Sequence, residues 1–164
     1  MTSSSHNIGF ISTRFAGTDG VSLETQKWAT VFERLGHKCF YFAGECDRNA
    51  DRSHVVPEAF YRHPEIDRIN QQAYSGSWTV TKEARAAHPE IAGLYKDFFS
   101  TYIRPPQMTS RVNELKEYFK EDLYEFAHRF GLEILVIENA VTIPLNLPLG
   151  LALTEFIAET GFPT

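Results

Sequence analysis

Two short stretches of the chain hold the residue types and spacings that could do chemistry. The first, Gly17-Thr18-Asp19-Gly20-Val21, joins a short apolar run to an amphipathic segment. Glycines at such a turn let backbone N–H groups approach a ligand closely. The helix that follows brings roughly half a positive charge to its N-terminus, which suits phosphate or pyrophosphate. The spacing is neither G-x-G-x-x-G nor G-x-x-x-x-G-K-[ST], so the dinucleotide and P-loop fingerprints both fail. Spacing alone leaves a ligand cradle and a plain tight turn as equal readings. The second stretch, Glu138 to Gly150, also follows an apolar run, and it carries Glu138, Asn139, Thr142 and Asn146 on a path stiffened by Pro144 and Pro148. Its competing reading is a rigid loop whose amides hydrogen-bond their own backbone.

For these polar groups to share one crevice, both stretches must lie at the carboxyl ends of parallel strands. Residues 7–13 read as the first strand, apolar on both faces. Val21, Thr25, Trp28, Phe32 and Leu35 recur at helical spacing as a core stripe, and Gly36 is a stop signal. Residues 37–43 form a second strand, so strand, helix and strand make one right-handed crossover. Glu45 or Asp47, just beyond it, is where a ribose contact would fall in a stand-alone nucleotide- or dinucleotide-binding module.

Residues 54–62 read as a third strand with Pro57 at its entrance or edge, and 64–73 as a short helix. Two helical stretches, about 80–103 and 110–130, are expected to pair as a hairpin on one side of the sheet. The second is capped by Thr109 or Ser110, aligns Val112, Leu115, Phe119, Phe126, Ala127 and Phe130 on one face, and stops at Gly131. A fourth strand over 132–138 and a helix from Pro148 or Leu149 to about Thr160 complete the pattern. The expected fold class is α/β: a Rossmann-like three-layer α/β/α domain with a mainly parallel sheet and a helical-hairpin insertion.

With 164 residues, 43% of them hydrophobic, the chain suits one domain. Residues 1–6 read as a disordered leader and 7–164 as the domain. Gly161 to Thr164 falls where a fifth strand should begin, so the expectation is a fragment of a longer polypeptide. A net charge of -5 argues against nucleic acid as a partner. Cys39 and Cys46 lack metal-type spacing and read as reduced thiols. No apolar run reaches spanning length, membrane association is not evident, and the cytoplasm is the default. There is no G-x-S-x-G elbow and no H-E-x-x-H. Phe98, Phe99, Tyr102 and Trp78 read as core rather than as a lipid or partner surface.

Ile8-Gly9-Phe10-Ile11-Ser12-Thr13 with Gly17-Thr18-Asp19-Gly20-Val21-Ser22-Leu23-Glu24-Thr25, then Gly36-His37, then Asn139-Ala140 through Pro148-Leu149-Gly150, resembles the N-terminal, acceptor-side domain of a retaining GT-B glycosyltransferase. The likeness is to the glycogen-synthase-like and mannosyltransferase-like group, of glycosyltransferase family 4 type. It covers both ends of the chain and leaves residues 48–130 unmatched. The resemblance implies one half of a two-domain enzyme whose second domain, absent here, holds most of a nucleotide-sugar donor. The Gly17–Val21 loop would lie against the donor diphosphate, with Gly17 and Gly20 as backbone donors and Asp19 as a nearby polar contact. Glu138, Asn139, Thr142 and Asn146 would form part of the wall for a sugar or small-molecule acceptor. No cofactor or metal is implied, and no catalytic residue falls in this chain, so the fragment alone is expected to be inactive. The group's Glu-x7-Glu pair belongs to the second domain. The same spacing at Glu117 and Glu125 falls in an amphipathic helix and reads as chance. None of His37, His54, His63, His88 and His128 has the context of the group's acceptor-domain histidine.

Overall fold

The computed structural model describes residues 5–73 and 106–164. Their strands and helices alternate: β1 (Asn7–Ile11), β2 (Arg14–Phe15), α1 (Gly20–Arg34), β3 (Lys38–Ala43), β4 (Glu45–Cys46), β5 (Ser53–Val55), α2 (Pro64–Ala73), α3 (Pro106–Phe130), β6 (Ile134–Ile137) and α4 (Leu147–Thr160). Short 3-10 turns at Ala50–Arg52 and Pro57–Ala59 flank β5. The main sheet runs β5-β3-β1-β6 with every pairing parallel, and β2 and β4 form a separate parallel pair. The α/β, Rossmann-like expectation is met.

Both faces of the sheet are covered, as a parallel sheet requires. On one face α1 closes over Ile8, Phe10, Phe15, Cys39 and Tyr41. On the other, α2, α3 and α4 bury Ile11, Phe42 and Leu135 together with Phe119, Phe126, Leu153 and Phe156. The β1 glycine, Gly9, has a steric reason: an added Cβ would meet Leu132 Cδ1 at 2.6 Å.

The helix faces differ from the sequence pattern in instructive ways. The side of α1 against the sheet is Ser22, Thr25 and Ala29, whereas Trp28 and Leu35 are 48% and 61% exposed, so the expected five-residue stripe is only partly core. Small residues let the helix sit close to the sheet, and the large ones fall to its flank. Helix α3 starts at Pro106, ahead of the expected cap at Thr109 or Ser110. Its buried face is Met108, Val112, Leu115, Phe119, Leu123 and Phe126, with Ala127 and Phe130 half-buried. Gly131 ends it with φ 55°, in the left-handed region where glycine is favoured. Residues 58–62 are not strand: β5 ends at Val55 and Pro57 opens a turn instead. Pro57 brings no N–H to a sheet ladder, and the turn carries the chain over Gly44.

Ser5 and His6, assigned to the leader, are tied down. The Ser5 hydroxyl donates to Gly36 O at 2.7 Å, and the His6 amide donates to His37 Nδ1 at 3.1 Å. The expected helix over 80–103, its hairpin with 110–130, and the aromatic residues Trp78, Phe98, Phe99 and Tyr102 lie outside the described residues. Among the described residues no helix is long and apolar enough to cross a membrane.

Candidate functional site

Strand β1 has neighbours reached by chain on opposite sides, β3 directly and β6 after the helical region, so the sheet order reverses between β1 and β6. In open parallel sheets the crevice at the carboxyl ends of such a strand pair is where ligands bind. Here it is floored by Ser12 and Glu138. The Glu138 amide donates to Ile11 O at 2.8 Å, and the Ser12 hydroxyl donates to Glu138 O at 3.0 Å. Asn139 follows with φ 64°, the one positive φ found on a described residue other than glycine. Such strain persists only where surrounding structure holds it, and it clusters at functional sites.

Glu138 is the unusual group of this crevice. Burial, and secondarily the charge of Glu24 on α1, hold its carboxyl above the usual range, and no hydrogen bond offsets them. An acid whose folded pKa is raised opposes folding once ionised: the penalty is fully present above the folded pKa and gone below the unfolded one. Glu138→Gln is therefore expected to raise Tm slightly at pH 7, with the gain vanishing near pH 4. Thermal melts of both proteins across that range check it.

The Gly17–Val21 loop is held differently from the open cradle its composition implies. The Gly17 amide is already occupied, donating to Asp47 Oδ2 at 2.7 Å. Asp19 is the N-cap of α1, accepting from the Ser22 amide at 3.0 Å and its hydroxyl at 2.9 Å, and from Arg14 Nη1 at 2.9 Å. Burial pushes the Asp19 pKa up, but the Ser22 hydrogen bonds and the Arg14 charge outweigh it and leave it lowered. Arg14 in turn donates to Glu45 Oε2 at 2.7 Å. Asp47 also meets Arg48 at 3.3 Å, so both acids beyond β3 are engaged within the protein. What remains open toward solvent is Thr18 and Gly20, with no atom within 4 Å of where a Gly20 Cβ would stand.

The loop after β6 divides likewise. Glu138 and Asn139 are half-buried and Thr142 is exposed, with the Thr142 and Ile143 amides donating back to Asn139 O at 3.3 and 3.0 Å. Asn146 does not join them. It is 2% exposed, it caps α4 by accepting from the Leu149 amide at 3.1 Å, and its amide nitrogen donates to Glu58 O and Ala59 O at 2.9 and 3.2 Å.

Beside this loop lies a groove of about 290 Å³ between Ile143-Pro144-Leu145 and Tyr61, Arg62 and Asn70. The Arg62 guanidinium rests 5.3 Å from the Tyr61 ring centroid and meets no carboxylate among the described residues. No motif marks Tyr61 or Arg62; they are found only because the turn at Pro57 carries them to the crevice side. Glu117 is bound by Lys116 and Lys120 at 3.0 and 3.2 Å on the α3 surface, in keeping with its spacing to Glu125 being chance. Among the described residues the one grouping with metal-ligand spacing is His54, Asp122 and Glu125, two strands away from the crevice.

Fold and crevice together define a Rossmann-like α/β domain with a strand-order reversal at the carboxyl edge of its sheet. No family model matches the chain, and no solved structure matches it significantly. It is similar to mannosylglucosylglycerate synthase of Thermotoga maritima, 25% identical over 148 residues, covering 90% of this chain and 29% of that protein. The chain is thus a distant relative of a glycosyltransferase, and it spans under a third of that relative's length.

Proposed function

We propose that this domain is the acceptor-side half of a nucleotide-sugar-dependent retaining glycosyltransferase of GT-B type, transferring a hexosyl group to a sugar or small-molecule acceptor. The observation that carries the reading is the pairing of the β1/β6 crevice with a distant glycosyltransferase relative aligned along 90% of the chain. Gly20, Thr18 and the first turn of α1 would face the donor diphosphate as one wall of an interdomain cleft, the helix N-terminus favouring negative charge. Gly17 and Asp19 would act by holding that loop in shape, since their polar groups are engaged by Asp47, Ser22 and Arg14. Glu138, Asn139 and Thr142 would line the acceptor side, and Asn146 would set the loop's position from below.

The stand-alone dinucleotide-binding alternative loses support. Its ribose contacts would be Glu45 or Asp47, which are committed to Arg14, Gly17 and Arg48.

The division of labour has a direct test. Incubated with UDP- or GDP-hexoses and mixed acceptors, these 164 residues should release no nucleotide above the buffer rate. Turnover that titrates with protein and survives repurification would overturn the reading. Acceptor sugars should shift amide resonances of Glu138, Asn139 and Thr142 and leave that of Asn146 in place.

A further inference from the structure

We propose that His54, Asp122 and Glu125 form a site for one divalent transition-metal ion of the zinc type, fastening β5 to α3. His54 is 8% exposed, its ring stacked on Phe42 at 5.5 Å and 7° and set against Phe126 at 6.1 Å. Its Nε2 stands 3.0 Å from Asp122 Oδ1. Asp122 and Glu125, three residues apart, share one face of α3, and one ligand atom from each of the three side chains lies within 4.8 Å of the others.

A simple His–Asp hydrogen bond explains this cluster poorly. It engages one atom of each side chain and leaves Asp122 Oδ2 buried without a partner, an outcome native proteins mostly avoid. It also leaves Glu125 without a cationic partner beside Asp122. The neighbourhood is acidic from the other side too: Tyr118, one turn earlier on α3, reaches Glu58 at 3.4 Å. Burial first, then the charges of Asp122 and Glu58, push the Tyr118 pKa up to about 12.

A cation at His54 Nε2 would take up the free Asp122 oxygen and balance Glu125 beside it. Ligands about 2.0–2.2 Å from zinc stand roughly 3–3.5 Å apart, a spacing His54 and Asp122 already have. Asp122 Oδ2 can add as a second oxygen, and exposed Glu125 needs only a small side-chain adjustment. One imidazole with carboxylates suits zinc and its neighbours in the first transition row, and disfavours magnesium, which prefers an all-oxygen shell. Gain or loss of this ion is separate from the sugar-transfer reading.

The test is titration of chelator-treated protein with zinc by calorimetry and with cobalt(II) by visible absorbance. One equivalent should bind with a Kd of about 10 µM or tighter, raising Tm as a ligand held by the native state alone must. His54→Gln should abolish binding, and Glu125→Gln, at an exposed position, should weaken it by at least about tenfold, the scale on which metal sites respond to lost support. A Cys39→Ser/Cys46→Ser variant should bind as the parent does. Absence of saturable binding at about 100 µM metal, or Glu125→Gln binding like the parent, overturns the proposal, and the second criterion decides even if His54→Gln fails to fold.

Discussion

Gly44→Ala is expected to cost more than about 3 kcal/mol and to leave the domain largely unfolded under mild conditions. Gly44 follows the last residue of β3, where the chain from the Pro57 turn crosses it. A Cβ there would collide with the backbone N and Cα of Phe60 and the carbonyl carbon of Ala59. A clash with a flexible side chain can be relieved by a rotamer change, but a clash with backbone moves the segment that carries it. That segment holds Glu58 O and Ala59 O against Asn146, and it leads to Tyr61 and Arg62 at the groove. Its displacement would therefore loosen α4 and the crevice together. Gly20→Ala is the control. Nothing lies within 4 Å of its Cβ position, its φ is not positive, and it begins α1, so alanine should be neutral or stabilise by up to about 1 kcal/mol. Urea unfolding followed by circular dichroism checks both, with the m-value testing for a change in compactness.

Such contrasts show what the sequence could carry. Features set by local periodicity and by glycine or proline punctuation were legible. The β-α-β opening, the sheet class, α2 at Pro64–Ala73 and the stop at Gly131 all follow from them. Two prolines set boundaries that periodicity alone does not. Pro106 opens α3 ahead of the expected cap at Thr109 or Ser110, because a first-turn proline gives up only an N–H that is orphaned anyway. Pro57 starts a turn and takes residues 58–62 out of the sheet.

The candidate site was legible to the level of the two loops, since strand order places their starts side by side. Which groups remain free within them was not legible. The Gly17 amide is taken by Asp47, thirty residues on, and Asn146 is engaged by carbonyls nearly ninety residues earlier. Glu138 stood out by type alone; its unusual state arises from burial and from the charge of Glu24 on α1. Partnerships between residues so distant in sequence leave no mark on spacing.

Asn146→Ala should destabilise the domain by about 3 kcal/mol, whereas Thr142→Ala, four residues away in the same loop, should stay within about 0.5 kcal/mol. The alanine removes the cap of α4, worth about 1 kcal/mol. It also strips the donor shared by Glu58 O and Ala59 O, and leaving buried acceptors unsatisfied costs roughly 1–3 kcal/mol. Two further variants separate these contributions. Asn146→Ser retains the cap oxygen and loses the bridge, so it should recover about 1 kcal/mol relative to alanine. Asn146→Asp retains the cap but sets a buried carboxylate against two carbonyl oxygens, so it should be no better than alanine despite the favourable helix end. Chemical denaturation of the four variants reads the series, and an Asn146→Asp as stable as the parent would refute the bridging role. The loop's two asparagines then divide the work. Asn146 anchors it through carbonyls of the Pro57 turn, and Asn139, strained at the crevice, begins the segment that the anchored loop holds in place.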